Sequence, residues 1–402
     1  MRRLAGLAWR YLWARPLVAA LNLLLLSLGL AATCFVLLVS EQLEAGVRRD
    51  LAGIDLVVGA KGSPMQIMLA GVFHLDVPTG NIPLATVQQL RGHPLVARAV
   101  PMSLGDSLKG YRIVGTTPDY LQLYKGQLRE GRLWEAPLQA VLGAEAARAS
   151  GLKIGDRFAG SHGLGESGHE HGEHRYQVVG VLEPGGSVLD RLVLTDLASV
   201  WQVHEEMHAV DAEDRAALEA EREVTMVLVG YRSPLAAVSL PRWVNAQDAL
   251  QAAAPALETA RLLRMVGAGT EVLRGFGAVL LLAAGLSVFV ALLHAVRERQ
   301  GDLAMLRMLG APAPRVATLI GLEALWLALL ASALGLLLGH GLTALLGFLL
   351  AQQQSLRVVG TWFSWWELAV PAVAVLLALF SAAWPAWRAY RLDVTELLQA
   401  PH

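Results

Sequence analysis

Two groups of histidines have spacings that could hold a metal. His204-Glu205-Glu206-Met207-His208 fits H-E-x-x-H. On a helix that spacing sets two imidazoles on one face, with a glutamate as general base, as in zinc peptidases. No third ligand follows at a usual spacing. The second group is His162, His169, His171 and His174, mixed with Glu166, Glu170, Glu173 and four glycines. Imidazole and carboxylate suit Zn²⁺, and also Ni²⁺ or Cu²⁺. No apolar period runs through the tract, which predicts a solvent-exposed loop between a strand near Phe158 and one near Tyr176. An ordinary polar loop has the same composition. The single cysteine, Cys34, excludes an internal disulfide framework and a zinc site built from cysteines. No G-x-x-x-x-G-K-[ST] phosphate loop is present. Gly59-Ala60-Lys61-Gly62-Ser63 comes nearest, without the first-glycine spacing and with no helix expected after it.

The elements that must position these residues are those of a membrane protein. Hydrophobic residues make up 54% of the 402 and charged residues 17%, against about 25% charged in a soluble chain. The formal net charge is −1, which offers no basic surface to nucleic acid. Residues 17–39 carry no charge. The run outlasts a signal-peptide core of roughly 7–15 residues and reads as a retained first span. Further spans are expected at 276–295, within 316–351 and at 368–387. The third stretch is too long for one bilayer crossing, so its span is placed near 319–341, with 342–351 at the outer interface. Basic residues cluster in 1–16, 296–315 and 388–402, which sets these segments in the cytoplasm. The 40–275 domain, with its stalk helices, and the loop 352–367 then lie outside. Short β-like runs at 54–58, 111–114, 176–182 and 226–229, with helices at 138–149, 209–223 and 245–275, make the outer domain mixed α/β. The fold class is thus an α-helical membrane protein with four transmembrane helices and a large inserted α/β periplasmic domain.

Between the second and third spans runs Arg297-Glu298-Arg299-Gln300-Gly301-Asp302-Leu303-Ala304-Met305-Leu306-Arg307. Leu303, Leu306 and Leu309 recur among the charges, as in a helix lying on a membrane surface with Arg299, Asp302 and Arg307 open to a partner. Glu323 follows in apolar sequence. An intramembrane carboxylate is a functional candidate, or an interface residue paired with Arg315 or a partner subunit. Gly335 and Gly339 form a small-xxx-small face suited to close helix packing.

These residues also carry a family resemblance. RERQGDLAMLRMLGA at 297–311, followed by a helix with an early Glu323, resembles the signature of FtsX/MacB-type ABC permeases (type VII ABC transporters, including lipoprotein-releasing permeases). The tail from Pro385 to Leu398 resembles that family's closing motif, with Val394 where proline is usual. Gln300 stands where an acidic residue is frequent. The 114–124, 130–132, 141–144, 151–156 and 178–182 segments resemble the family's periplasmic domain in order and spacing.

The resemblance implies a permease subunit that is not itself an enzyme and has no fused ATPase. ATP would act through a separate ABC ATPase subunit contacted at 297–307. It implies pairing as a homodimer or with a paralogous permease, a periplasmic adaptor or lipoprotein as a further partner, and a bacterial inner-membrane location. The work would be export, extraction or release of a substrate on the outer side. Few polar residues lie in the spans to line an aqueous path: Asn22, Ser27, Thr33 and Glu323. A membrane-anchored regulator or sensor, metal-responsive through 162–174, is the alternative, and a zinc peptidase the third reading.

Overall fold

A computed structural model describes residues 2–51, 53–162, 170–204, 221–352 and 358–391. Its first elements are α1 (Arg2–Leu12), α2 (Pro16–Asp50), β1 (Leu56–Ala60), α3 (Pro64–Gly71), β2 (Ile82–Pro83), α4 (Ala85–Gly92), β3 (Val96–Leu108), β4 (Tyr111–Thr116) and α5 (Asp119–Leu123). Next come β5 (Leu128–Gly131), β6 (Gln139–Leu142), α6 (Ala144–Ser150), β7 (Arg157–His162), β8 (Glu170–Leu182), β9 (Leu192–Asp196) and α7 (Leu197–His204). After these follow β10 (Glu223–Val224), β11 (Met226–Tyr231), α8 (Ala236–Asn245), β12 (Leu250–Ala253), α9 (Pro255–Glu298), α10 (Gln300–Met308), α11 (Ala313–Gln352) and α12 (Ala369–Tyr390). The chain divides into two units. One holds Met1–Leu43, Met265–Ala351 and the chain from Val358 on, and the other is chiefly Glu44–Arg264.

The first unit is helical. Four of its helices, in α2, α9, α11 and the stretch Trp365–Tyr390, are long and apolar enough to cross a membrane. Their shared core is built from Leu26, Leu30 and Leu38 of α2, Ala284 and Val288 of α9, Ala324, Ala328 and Ala331 of α11, and Ala374, Ala378 and Ala382 of α12. Alanine at every third or fourth position lets helices approach closely where lipid offers no hydrophobic drive. Gly335 and Gly339 do the same against α2. A Cβ at 335 would stand 2.7 Å from Leu30 Cβ, and one at 339 would stand 2.7 Å from Cys34 Cβ. The third apolar stretch is a single helix, with 342–351 continuing directly from the span. No proline or charge interrupts 342–351, and α11 continues unbroken to Gln352.

The second unit is an α/β domain around a mostly antiparallel sheet, in the order β12-β1-β11-β3-β4-β9-β6-β8-β5, with β7 paired to β3 and β8. β4–β9 and β6–β8 are parallel pairs. Leu56, Val57 and Val58 of β1 are all buried, because this strand is covered on both faces and needs no alternation. Two apolar clusters result. One gathers Leu56, Val58, Leu90, Val229 and Leu240, the other Tyr111, Ile113, Leu142, Tyr176 and Val193.

Several local expectations are corrected. The 138–149 stretch splits into β6 and α6, because Val141 and Leu142 are drawn into the sheet. Within 245–275, β12 precedes the helix and pairs with β1. A helix does follow Ser63. Ser63 caps α3, with its Oγ accepting from the Gln66 amide, but Pro64 removes an amide that a phosphate would need. Of the expected helix 209–223, residues 209–220 lie outside the described residues, and Glu223 begins β10.

Candidate functional site

α1 is amphipathic, with Leu4, Leu7, Ala8 and Tyr11 at helical spacing. Ala8 is fully buried, and the Trp326 indole donates to Ala5 O at 3.1 Å. α1 thereby lies against α11. α9 ends at Glu298, which pairs with Arg15, and Arg297 and Glu298 belong to its last turn. Arg299 stands between α9 and α10.

Arg299 is the centre of the site. Its guanidinium pairs with Glu323 Oε1 at 3.1 Å, donates to Tyr11 O at 2.8 Å and lies 4.5 Å over the Tyr11 ring. Three segments that are distant in sequence meet on one cation: the end of α1, the start of the connector and the first third of α11. The side chains of Arg299 and Glu323 are 15% and 7% exposed, so the pair is shielded and each charge depends on the other. A recess beside it is lined by Tyr11, Arg15, Asn22, Arg299 and Glu323, and Asn22 Oδ1 is buried there without a hydrogen bond. Burial raises the Tyr11 phenol above its ordinary pKa; Asp302 adds to the rise, Arg299 opposes it, and Glu323 adds again.

This geometry corrects two expectations. Arg299 is not an open charge, and the Glu323 partner within the chain is Arg299 rather than Arg315. The sequence signal for α1 was its apolar spacing before the first span. The face of α10 also differs. Leu303 and Ala304 are buried and Leu306 is half-buried, but Leu309 is exposed, with Met305, Met308 and Asp302. Residues three apart drift about 60° per step on a helix of 3.6 residues per turn, so Leu303 and Leu309 cannot share a face. Arg307 is half-buried, and Gln300 opens α10. Gly310, at φ +92°, ends the connector.

At the other end of α11, His340 Nδ1 contacts Gly360 O at 2.7 Å and Nε2 contacts Glu367 Oε2 at 2.9 Å. Glu367 Oε1 accepts from the Ser364 amide at 2.7 Å. The Gln42 side chain bonds both the amide and the carbonyl of Val359. None of these groups stands out in the sequence; the neighbouring Trp362, Trp365 and Trp366 are exposed.

The histidine tract is not one loop. His162 closes β7 opposite Asp106, and residues 170–174 begin β8, because the β7–β8 ladder extends outward beyond Phe158 and Tyr176. Positions 171 and 174 have opposite parity in β8, and His169 lies outside the described residues. His204 ends α7, while Glu205, Glu206, Met207 and His208 lie outside them.

Four membrane-crossing helices, an α/β domain inserted between the first and second, and a short connector helix between the second and third define a transporter permease of the inserted-domain kind. The family described as MacB-like periplasmic core domain matches residues 19–230, and that described as FtsX-like permease C-terminal matches residues 274–394. The chain belongs to the FtsX/MacB-type ABC transporter permeases. It is a membrane protein with a periplasmic domain, and membership implies an ABC ATPase partner. Among solved structures it is similar to the periplasmic region of MacB from Actinobacillus actinomycetemcomitans, at 12% identity, covering 54% of this chain and 97% of that one, with a TM-score of 0.36. It is also similar to the extracellular domain of the noncanonic ABC-type transporter YknZ from Gram-positive bacteria, at 13% identity, covering 49% and 98%, with a TM-score of 0.31. No curated protein sequence matches the chain.

Proposed function

We propose that this permease contributes no catalysis of its own and passes the motion of a separate ABC ATPase to its periplasmic domain, driving export, extraction or release of a substrate on the outer side of the inner membrane. The observation that carries this is the Arg299 junction. A displacement of α10 reaches α1 and α11 through one guanidinium with partners in both. The ATPase docks on the exposed face of α10, formed by Asp302, Met305, Met308 and Leu309. Arg299 acts behind that face as the transmitting group. Two such chains, or one with a paralogous permease, pair with two ATPase subunits, and an adaptor or lipoprotein engages the periplasmic domain.

The test separates docking from transmission. In Met305→Glu/Leu309→Glu, the tagged chain should insert normally but no longer co-purify with an ATPase from its native host. In Arg299→Gln, the ATPase should still co-purify, while permease-stimulated hydrolysis falls at least tenfold. Normal stimulation in Arg299→Gln would overturn the transmitting role. Retention of the ATPase by the α10 variant would overturn the docking face.

A further inference from the structure

One cysteine excludes a zinc site made of cysteines but not a mixed one. Among the described residues, the side chains of Cys34, His340 and Glu367 bring a sulfur, an imidazole nitrogen and a carboxylate oxygen within 4.8 Å of one another. They come from α2, α11 and the 3₁₀ turn Trp365–Leu368 that leads into α12. A histidine in an apolar helix is costly and marks a candidate functional position. Donor atoms of a tetrahedral zinc site stand about 3.3–3.8 Å apart, given ligand distances of about 2.0–2.3 Å. The His340 Nε2–Glu367 Oε2 contact, at 2.9 Å, therefore has to open by about half an ångström, within reach of side-chain rotation.

The surroundings already orient the donors. A carbonyl can only accept, so His340 Nδ1 carries the proton that bonds Gly360 O at 2.7 Å. That leaves Nε2 turned toward Glu367. Metal-bound histidines are fixed in this way, with the far ring nitrogen donating to a backbone carbonyl. Glu367 is held by the Ser364 amide through Oε1, which frees Oε2 for the cluster. The 2.9 Å contact between Nε2 and Oε2 holds one proton between two bases. A cation can take that proton's place, with the thiol proton leaving as well. Cys34 is fully buried, but the His340 side chain is 28% exposed, which gives an ion a way in.

The geometry points to a Zn²⁺ site formed by Cys34, His340 and Glu367, with the fourth position open to water. Sulfur, imidazole and carboxylate together are a zinc donor set, since the carboxylate disfavours Cu(I) and the thiolate disfavours Mg²⁺ or Ca²⁺. Such an ion would join the first, third and fourth spans at their periplasmic ends and restrain their relative motion.

Because the chain has one cysteine, the test has an unambiguous signal. Full-length protein, purified in detergent and stripped with a chelator, is titrated with Co²⁺ as a spectroscopic substitute for zinc. The expected result is one equivalent of Co²⁺ bound with thiolate-to-cobalt charge-transfer absorption, displaced by Zn²⁺. That absorption should vanish in Cys34→Ser. Affinity should fall tenfold or more in Glu367→Gln and in His340→Gln. On the unmodified protein, Zn²⁺ should also slow alkylation of Cys34 by a maleimide. Cobalt binding without the sulfur absorption, which the histidines of 162–174 or 204–208 could give, would overturn the site. So would an unchanged affinity in both conservative variants, or no binding at all.

Discussion

Two polar contacts of the membrane unit stand seventeen residues apart on one helix and are built on different chemistry. Glu323 and His340 are separated by seventeen residues of α11, about 26 Å at 1.5 Å per residue, close to the roughly 30 Å of bilayer hydrocarbon. They bracket the apolar slab rather than occupy its middle. At the cytoplasmic end the partner is an arginine, which stays charged at any physiological pH. It gives Glu323 a fixed cationic partner that also holds α1 and the connector. At the periplasmic end the partner is a histidine, which can carry one proton, share it or exchange it for a metal. The cytoplasmic contact suits a transmission point that must not let go. The periplasmic contact suits a joint whose strength depends on what occupies it.

Breaking the Arg299–Glu323 pair should have the largest effect. Arg299→Glu sets two carboxylates face to face in a shielded place. It should cost about 3–5 kcal/mol of stability, the usual result of stranding one partner of a buried pair, read as a lowered midpoint of thermal unfolding in detergent. The exchange Arg299→Glu/Glu323→Arg should recover a large part of that loss. No recovery would show that Arg299 matters through Tyr11 rather than through Glu323.

The next effect is steric and lies beside the periplasmic joint. Gly339→Ala places a methyl 2.7–2.8 Å from Cys34 Cβ and Sγ. Overpacking of this kind should cost about 1–3 kcal/mol. A neutral result would mean that α2 and α11 slide apart freely. Glu367→Gln should cost less, about 1 kcal/mol, since an amide can still bond His340 and the Ser364 amide. A loss as large as that of Arg299→Glu would erase the proposed difference between the two ends.

The smallest effect comes from a buried histidine in the periplasmic domain that has no carboxylate partner. His74 Nε2 contacts the Tyr120 hydroxyl at 3.0 Å. Burial, then Arg112 and Arg191, hold its pKa well below the ordinary value. The folded domain thus stays unprotonated while the unfolded chain takes up a proton near pH 6.5. This contribution to stability is present above that value and is lost as pH falls. From pH 7.5 to 6 it amounts to about 0.8 kcal/mol. His74→Gln should flatten the difference in unfolding temperature between the two pH values. An equal pH dependence in the variant would show that another group is responsible.

The spans were legible because an uncharged run long enough to cross hydrocarbon is a direct record of bilayer thickness. The periplasmic strands were legible where apolar residues run together, as at 56–58 and 226–229. β3 was not, although it lies near the middle of the sheet. Pro101, Gly105 and Asp106 interrupt its pattern, and the register with β4 shifts between Leu104 and Ser107. Of the cytoplasmic site, the residue types were legible but not their pairing. Arg299 reads as a surface charge until the turn after Gly310 brings Glu323 back beside it. Cys34, His340 and Glu367 lie too far apart in the chain for any spacing rule to join them, and only the packing of α2 against the glycine face of α11 brings them together.

α11 runs on for twelve residues past His340, about 18 Å, with Leu342, Leu345, Phe348 and Leu349 exposed along the way. These side chains are too apolar for water, and they lie beyond the hydrophobic thickness that Glu323 and His340 mark out. A mismatch of this sign is relieved by tilting the helix or by thickening the outer leaflet around it, at fractions of a kcal/mol per Å. Either the helix tilts or the lipid beside it thickens. Either response follows from the length of α11 alone and needs no nucleotide.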